Sequence, residues 1–304
     1  MNTIRWYQAF MLLLCALVAG RGFAQQEPSP SDSLDTIKIE KLTGVKGKLD
    51  AAEHVFKVSV SRSDLAVTVA GVKMTPPMGL TSWAAFKSAG NQVMVMGDMV
   101  LREDQVNPVL SIALDNDIEV TALHNHFLWD TPKVMFMHIG GLGDPEKLAT
   151  GVGKIFLEIK NTSGGKAHVP HTPFAASKTL LDPKAIETII GVPVEKAGEI
   201  YKVTIGRSTM MAEHDAGKAM GVNTWAAFAG SDKKAVVDGD FAMLESELQG
   251  VLKALRRAGI FITAIHHHMI GESPKIILLH YWGTGSVSDL AKGIKTALDT
   301  QAKS

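Results

Sequence analysis

Hydrophobic and polar residues alternate along two stretches of the chain that are written almost alike. Residues 55–60 read VFKVSV and residues 200–205 read IYKVTI, and this two-residue period is typical of half-buried β-strands. Each stretch is followed by a further β-rich run through the sequence WAAF, at 83–86 and at 225–228. A short strand that ends at a Gly-Asp pair comes next in both places. The same order of strands is therefore predicted twice.

A helical pattern follows these strands in both places. Leucine and valine residues recur at helical spacing over residues 244–259, and Gly259 marks the expected C-terminal end of the helix. The corresponding residues 103–117 keep the pattern less well, and Pro108 is expected to kink or shorten that helix.

Two more strands and a last helix complete each unit. In the first unit the strands cover residues 118–126 and 133–138, and the helix covers residues 144–155. The matching segments of the second unit are 260–268, 275–280 and 286–299. Each unit is therefore predicted to be α+β, with a small, mainly antiparallel sheet and two helices on one face.

The recurrence is an internal repeat of the sequence. Residues 78–153 align without a gap on residues 220–295, and about a third of the aligned residues are identical. A period of this length indicates two tandem homologous domains, which we place at 34–159 and 179–304. The segment 160–178 between them is rich in Gly, Ser, Thr, Pro and Lys and is predicted to be a linker.

The N-terminus has the composition of an export signal. Arg5 precedes an apolar run at residues 9–20 that is too short to span a bilayer, and small residues mark a cleavage site after Ala24. Residues 1–24 are therefore predicted to be a signal peptide, and residues 25–33 a flexible start of the mature chain. We expect a periplasmic or secreted protein without a transmembrane span.

The single cysteine, Cys15, lies inside the apolar run. Leu14 is bulky where a lipidated cysteine follows a small residue, so a lipoprotein is the less favoured prediction. Cleavage after Ala24 leaves the mature chain without cysteine. Any metal ion must then be held by His, Asp, Glu or water.

Charge and glycine spacing argue against two classes of ligand, nucleic acids and nucleotide cofactors. Lys plus Arg and Asp plus Glu both number 31, so no net field attracts nucleic acid. The glycine pairs at 141/143 and 283/285 have neither a third glycine nor a P-loop lysine, so no nucleotide cofactor is expected.

Three histidines recur at matching positions in the two units. Side chains alternate across a strand, so His124 and His126 are expected on one face, as are His266 and His268. A hairpin that turns near Thr131 brings the next strand back. That strand adds one histidine to the same face in each unit, His138 in the first and His280 in the second.

The predicted register places His124 directly opposite His138, with Cβ atoms about 4.5–5.5 Å apart. Three imidazoles on one patch of sheet can converge on a metal ion, with zinc as the first candidate and copper, nickel or iron as the next. The predicted metal ligands are His124, His126, His138, His266, His268 and His280.

Four acids are candidates for a fourth ligand or a catalytic base. Two begin the predicted helix and two follow a strand. These are Glu103, Glu245, Asp98 and Asp240. Simpler roles suit all four, as favourable charges in a first helical turn or as turn residues after glycine.

Other chemically active residues are assigned simpler roles. His168 and His171 lie in the predicted linker and are expected to be solvated. His214 has no counterpart in the first unit, so it either completes one site or is simply exposed. Trp83 and Trp225 are expected to fill the core.

Three functions remain open. The first is a protein that binds a metal ion or a small polar ligand at one histidine cluster per domain. The second is a metal-dependent hydrolase or lyase with Glu245 or Asp240 as the base. The third is a metal-free module that binds an envelope partner, in which the histidines are structural.

The motifs also resemble a known family. MGLTSWAAF (78–86), EVTALHNHFL (119–128) and PKVMFMH (132–138), with their second copies, are similar to the LppY/LpqO-type family of bacterial secreted proteins and lipoproteins. The resemblance implies a tandem domain of unknown function and export, and it supplies no catalytic residues. Cys15 departs from the pattern of the lipoprotein members.

Overall fold

The computed structural model describes residues 34–173 and 179–301. The predicted signal peptide and flexible start, and residues 174–178 of the predicted linker, lie outside these ranges. None of the helices within the described ranges combines the length and the apolar composition needed to cross a membrane.

The first repeat contains the helices α1 (Thr36–Thr43), α2 (Glu103–Asp115) and α3 (Pro145–Asn161). Its strands are β1 (Gly47–Asp50), β2 (Val55–Ser61), β3 (Thr68–Val69), β4 (Val72–Lys73), β5 (Thr81–Ala89), β6 (Gln92–Arg102), β7 (Glu119–His124), β8 (Asp130–Thr131) and β9 (Val134–Gly143). A 3₁₀ turn at Pro76–Met78 precedes β5.

The second repeat contains the helices α4 (Pro183–Ile190), α5 (Leu248–Arg257) and α6 (Val287–Leu298). Its strands are β10 (Glu195–Ala197), β11 (Ile200–Gly206), β12 (Thr209–Met211), β13 (His214–Ala216), β14 (Asn223–Ser231), β15 (Lys234–Leu244), β16 (Phe261–His266) and β17 (Ile276–Gly285). Further 3₁₀ turns lie at Lys218–Met220 and Glu245–Glu247. The α+β fold with mainly antiparallel strands is confirmed.

The helices differ from the prediction in two respects. The first is that α1 and α4 add a short helix at the start of each repeat. The second is that Pro108 does not shorten α2, which has 13 residues against 10 in α5. Proline removes a backbone hydrogen bond inside a helix, but the buried neighbours Val106 and Val109 hold α2 against the sheet.

The two repeats share one continuous sheet of twelve strands, in the order β1-β2-β5-β6-β9-β7-β16-β17-β15-β14-β11-β10. The repeats meet where Leu123 in β7 pairs with Ile265 in β16. These residues occupy equivalent positions in the two repeats, so an approximate two-fold axis passes between them. The sequence predicted two small sheets, and their fusion into one is a finding of the structure.

Two equivalent side-chain amides strengthen this junction. The amide of Asn107 in α2 accepts a hydrogen bond from the backbone nitrogen of Ile262 at 2.8 Å and donates to its carbonyl oxygen at 3.1 Å. Gln249 in α5 makes the same two contacts with Val120, at 3.1 and 2.9 Å. Val120 and Ile262 each border an irregularity in strand pairing, so the amides satisfy backbone groups near those irregularities.

The two faces of the sheet are different. Helices cover one face, where Val95, Met99 and Met137 join a core that runs through both repeats. The opposite face, called the open face below, carries Met96 and Asp98 on β6 between those core positions. This alternation places the histidines on the open face.

Candidate metal centre

Each repeat brings one aspartate and three histidines together on the open face. In the first repeat Asp98 in β6 lies directly opposite His138 in β9. His124 is the last residue of β7, and His126 lies in the loop that follows. The equivalent residues of the second repeat are Asp240, His280, His266 and His268.

The predicted register of the histidine hairpin is wrong by two residues. His124 pairs with Phe136, and His138 pairs with Ala122. The hairpin is therefore centred on residue 130, one position before Thr131. His138 is consequently a diagonal neighbour of His124, and their ring centroids are still only 5.1 Å apart.

The placement of the aspartates after a strand is also wrong. Asp98 and Asp240 lie inside β6 and β15, which continue to Arg102 and Leu244. The residues after Asp98 are buried on both faces, because Met99 packs on the helix face and Val100 on the open face. A doubly buried run loses the alternation by which a strand is recognised, so the sequence predicts a shorter strand.

The second repeat has the tighter cluster. The ring centroid of His266 is 5.1 Å from that of His268 and 4.8 Å from that of His280. The Nε2 atom of His268 is 3.7 Å from Oδ2 of Asp240. One potential ligand atom each from Asp240, His266 and His268 lies within 4.8 Å of the other two. Such a group has the size and chemistry of a site for one metal ion.

Several polar atoms of the clusters are buried without a hydrogen-bond partner among the described residues. They are Oδ1 of Asp98, Oδ1 of Asp240 and Nε2 of His266. An unsatisfied buried polar atom costs about 1–3 kcal/mol, and more when the group is charged. Their convergence points to a cation that would satisfy them.

Burial shifts the pKa of both aspartates and of one histidine in each cluster. It raises the pKa of Asp240 to about 6, although His280 and His268 act in the opposite direction. Burial likewise raises the pKa of Asp98 and lowers the pKa of His266 and His126. The neutral imidazole is the form that binds metal, so the site favours the ligand form of its histidines.

A glycine in each repeat lets the loop before β5 or β14 approach a histidine of the cluster. That histidine is His126 in the first repeat and His268 in the second. Gly79 has φ 98° and Gly221 has φ 86°, a region that glycine enters without strain. A Cβ atom at these positions would lie 4.0 Å from Nδ1 of His126 and 3.8 Å from Nδ1 of His268, respectively. The repeated Met-Gly motif is thus part of the surroundings of the site.

Other candidate residues have partners or positions elsewhere. Glu245 pairs with Lys275 at 2.8 Å, and Glu103 lines a cavity with His168. His214 is exposed on the short strand β13. Among the predicted acids, therefore, the aspartates are the ones that lie beside the histidines.

The prediction of a core role for the tryptophans is wrong. Trp83 lies opposite Asp98 and Trp225 opposite Asp240, half-buried on the open face. A lysine nitrogen lies over each ring, Lys57 at 4.0 Å and its second-repeat equivalent at 4.3 Å. The alternation in WAAF could have revealed this, since Ala84 and Phe86 occupy the helix face.

Two cavities of the described chain lie away from the histidine clusters. One of about 510 Å³ lies between the repeats and is lined by Glu103, Lys133, His168 and Arg256, among others. The other, of about 360 Å³, lies beside α1. Neither cavity is lined by a histidine of the clusters. The clusters are open to solvent at the exposed rings of His126 and His268.

A family model described as Domain of Unknown Function (DUF1259) matches residues 37–157 and again residues 184–300. The matches cover more than half of the chain, so the protein belongs to this family and carries its domain twice in tandem.

A search of curated proteins found no match. A solved structure, described as that of a trimeric bacterial microcompartment shell protein PduB, is similar over 84% of this chain and 89% of that chain, with 12% identity and a TM-score of 0.19. A TM-score this low supports no structural argument.

Proposed function

We propose that this tandem member of the DUF1259 family binds a transition metal ion at the aspartate-histidine cluster of each repeat. The observation that carries the proposal is the group formed by Asp240, His266 and His268, whose ligand atoms lie within 4.8 Å of one another. Two of these residues also hold buried polar atoms that lack a partner among the described residues. A bound cation would remove that cost.

The donor set favours zinc. Imidazole nitrogen and carboxylate oxygen bind zinc in four-coordinate sites, and copper, nickel or iron are the next candidates. His280 in the second repeat completes a set of four. The proposed ligands of the first repeat are the equivalent His124, His126, His138 and Asp98.

The proposal extends to the location of the protein. The composition of residues 1–24 and the resemblance to LppY/LpqO-type proteins support export to the periplasm or beyond. The domain boundaries 34–159 and 179–304 remain predictions. Metal binding outside the cytoplasm also agrees with a mature chain that has no cysteine.

Binding is favoured over catalysis by the position of the clusters. Both lie on the open face, and each has one exposed histidine, whereas enzyme sites are mostly concave and enclose their substrate. A metal-activated water remains the second candidate function. The position of Asp240 favours it, because its carboxylate lies 3.7 Å from Nε2 of His268, where a base for that water would be needed.

The test is the metal content of the mature protein, purified from the periplasm without an affinity tag. Elemental mass spectrometry should find stoichiometric metal, and a His124→Ala, His266→Ala double variant should lose it. His214→Ala is the matched control, since His214 is exposed on β13, and it should retain full metal content.

Absence of metal, with none taken up from zinc or copper solutions, would contradict the proposal and favour the metal-free envelope module. If metal is present, hydrolysis of activated esters by the wild type, lost in Asp240→Asn with the metal retained, would favour the enzyme.

A further inference from the structure

We infer that the two proposed sites differ in metal affinity, and that Phe136 weakens metal binding at the site of the first repeat. The inference rests on the proposed function. It concerns which repeat retains its ion and which releases it.

The first observation is a close stack between Phe136 and His126. Their ring centroids are 3.3 Å apart and the ring planes differ by only 8°. Phe127 contacts the same imidazole edge-on, with centroids 6.2 Å apart. His126 therefore contacts two aromatic rings before any metal binds.

The second observation is that Phe136 cannot follow the imidazole. It is fully buried in a small cluster beneath the open face. The other buried members of that cluster are Leu65, Val67, Leu80, Val100 and Val134. If His126 tilts out of this plane toward a metal ion, it loses the parallel stack on Phe136.

The second repeat has no aromatic ring at the equivalent positions. Leu278 replaces Phe136 and Met269 replaces Phe127, and both belong to the aliphatic cluster of that repeat. The imidazole of His268 lies instead beside Asp240, 3.7 Å from its carboxylate. Within the described residues, only this repeat has three ligand atoms already grouped for a metal ion.

The consequence is a difference in affinity between the repeats. Breaking an aromatic stack weakens binding by about three- to tenfold, on the usual strength of such pairs. The second repeat should therefore fill first and retain its ion, while the first repeat fills at higher metal concentration and exchanges its ion readily.

The experiment compares each site alone in the full chain. A His266→Ala, His268→Ala variant leaves the first site, and a His124→Ala, His126→Ala variant leaves the second. Zinc is titrated against a chromogenic chelator. The second site should bind zinc about three- to tenfold more tightly than the first.

The decisive variant is Phe136→Leu, which gives the first repeat the residue of the second. In the chain that retains only the first site, it should tighten zinc binding by most of that factor. Val134→Ile is the matched control. It also introduces the second-repeat residue into the same cluster, and it should leave the affinity unchanged.

Nuclear magnetic resonance of the metal-free protein tests the stack itself. The ring protons of His126 should resonate upfield of those of His268, because the phenyl ring lies parallel to the imidazole, and Phe136→Leu should remove the difference. If Phe136→Leu fails to fold, Phe127→Met serves as the second variant, with a smaller gain in affinity.

Equal zinc affinities at the two sites, or an unchanged affinity in folded Phe136→Leu, would overturn the inference and leave the proposed function intact. A wild-type protein that binds no zinc or other transition metal would instead overturn both. The two failures are therefore distinguishable.

Discussion

Asp240 shows how a single residue can be costly to the fold and useful to a site. It is only 3% exposed, and one carboxylate oxygen has no hydrogen-bond partner among the described residues. A buried carboxylate is stabilised by a cation or by taking up a proton. Its raised pKa shows that, without metal, protonation becomes easier.

The metal-free protein should therefore lose stability as the pH rises from about 4 to 6. Burial raises the pKa of Asp240 from its ordinary 3.8 to about 6, so the folded state binds a proton more readily than the unfolded state in that window. The stability due to this group is present below pH 4 and lost above pH 6. Asp240→Asn should accordingly be more stable than wild type above pH 6, by on the order of 2 kcal/mol.

Denaturant titrations from pH 4 to 8, with chelator present, measure this difference. Asp215→Asn is the control, because Asp215 is exposed on the short strand β13. A constant difference between wild type and Asp240→Asn over the whole range would show that Asp240 is already ionised in the folded state at pH 4.

Metal affinity should have the opposite pH dependence. The ligands must be neutral histidines and an ionised aspartate, so protons compete with the metal as the pH falls through about 6.5. Zinc affinity should fall by about a hundredfold or more between pH 7.5 and 5. Full zinc occupancy at pH 5 with limiting zinc would argue against histidine ligation.

The residues of the site were only partly predictable. The histidines were recognised because their spacing recurs in both repeats and because side chains alternate along a strand. The partnership of Asp98 with His138 was missed, since it depends on a strand that continues beyond the aspartate. The stack on Phe136 depends on a register that was predicted two residues away.

The glycine of each Gly-Asp pair shows what the sheet requires of its elements. A Cβ atom at Gly97 would lie 2.9 Å from the side chain of Ile139. At Gly239 it would contact the ring of Tyr281, whose hydroxyl donates a hydrogen bond to the carbonyl oxygen of Trp225 at 2.9 Å. The glycines thus leave room for a neighbouring side chain on the helix face.

Gly239→Ala should therefore destabilise the protein by about 2–3 kcal/mol, as overpacking of a core does. Chemical denaturation measures the change. Gly143→Ala is the matched control within a strand, because a Cβ atom there would meet nothing within 4 Å. Equal effects of the two substitutions would mean that Tyr281 and the carbonyl oxygen of Trp225, which the added Cβ atom would also meet, both move aside at little cost.

Element types were more predictable than element limits. The strands through VFKVSV and WAAF follow a two-residue period, and the helix α5 follows leucine spacing. The lengths of β6 and β15 were not predictable from a doubly buried run. The helix α3 also continues to Asn161, two residues into the predicted linker, because its packing on the sheet outweighs the polar composition there.

At the scale of the whole molecule, the junction between the repeats depends on few backbone contacts. Leu123–Ile265 is the pair that joins β7 to β16, and the amides of Asn107 and Gln249 reach across to the other repeat. Such a junction was not predictable, since periodicity describes each strand and not the strand beside it.

Asn107→Ala should destabilise the protein by about 3 kcal/mol, because it leaves both backbone groups of Ile262 unsatisfied in a buried place. Gln249→Ala should have a smaller effect, since Gln249 is only half-buried. In the double variant the repeats should unfold in two transitions instead of one. Differential scanning calorimetry measures all three.

Asn91→Ala serves as the control, because Asn91 lies in the exposed turn between β5 and β6. A single transition at the wild-type temperature in the double variant would show that the continuous core alone couples the repeats.

The approximate two-fold axis has an evolutionary consequence. A chain with a single repeat would leave β7 as an unpaired edge strand and Asn107 without its backbone partner. Two such chains would restore both contacts as a symmetric homodimer, so the present protein has the geometry of a homodimer fused into one polypeptide. In a homodimer every substitution appears at both sites, whereas fusion lets residues 136 and 278 differ. Within one polypeptide, each histidine cluster can therefore have its own neighbouring residues.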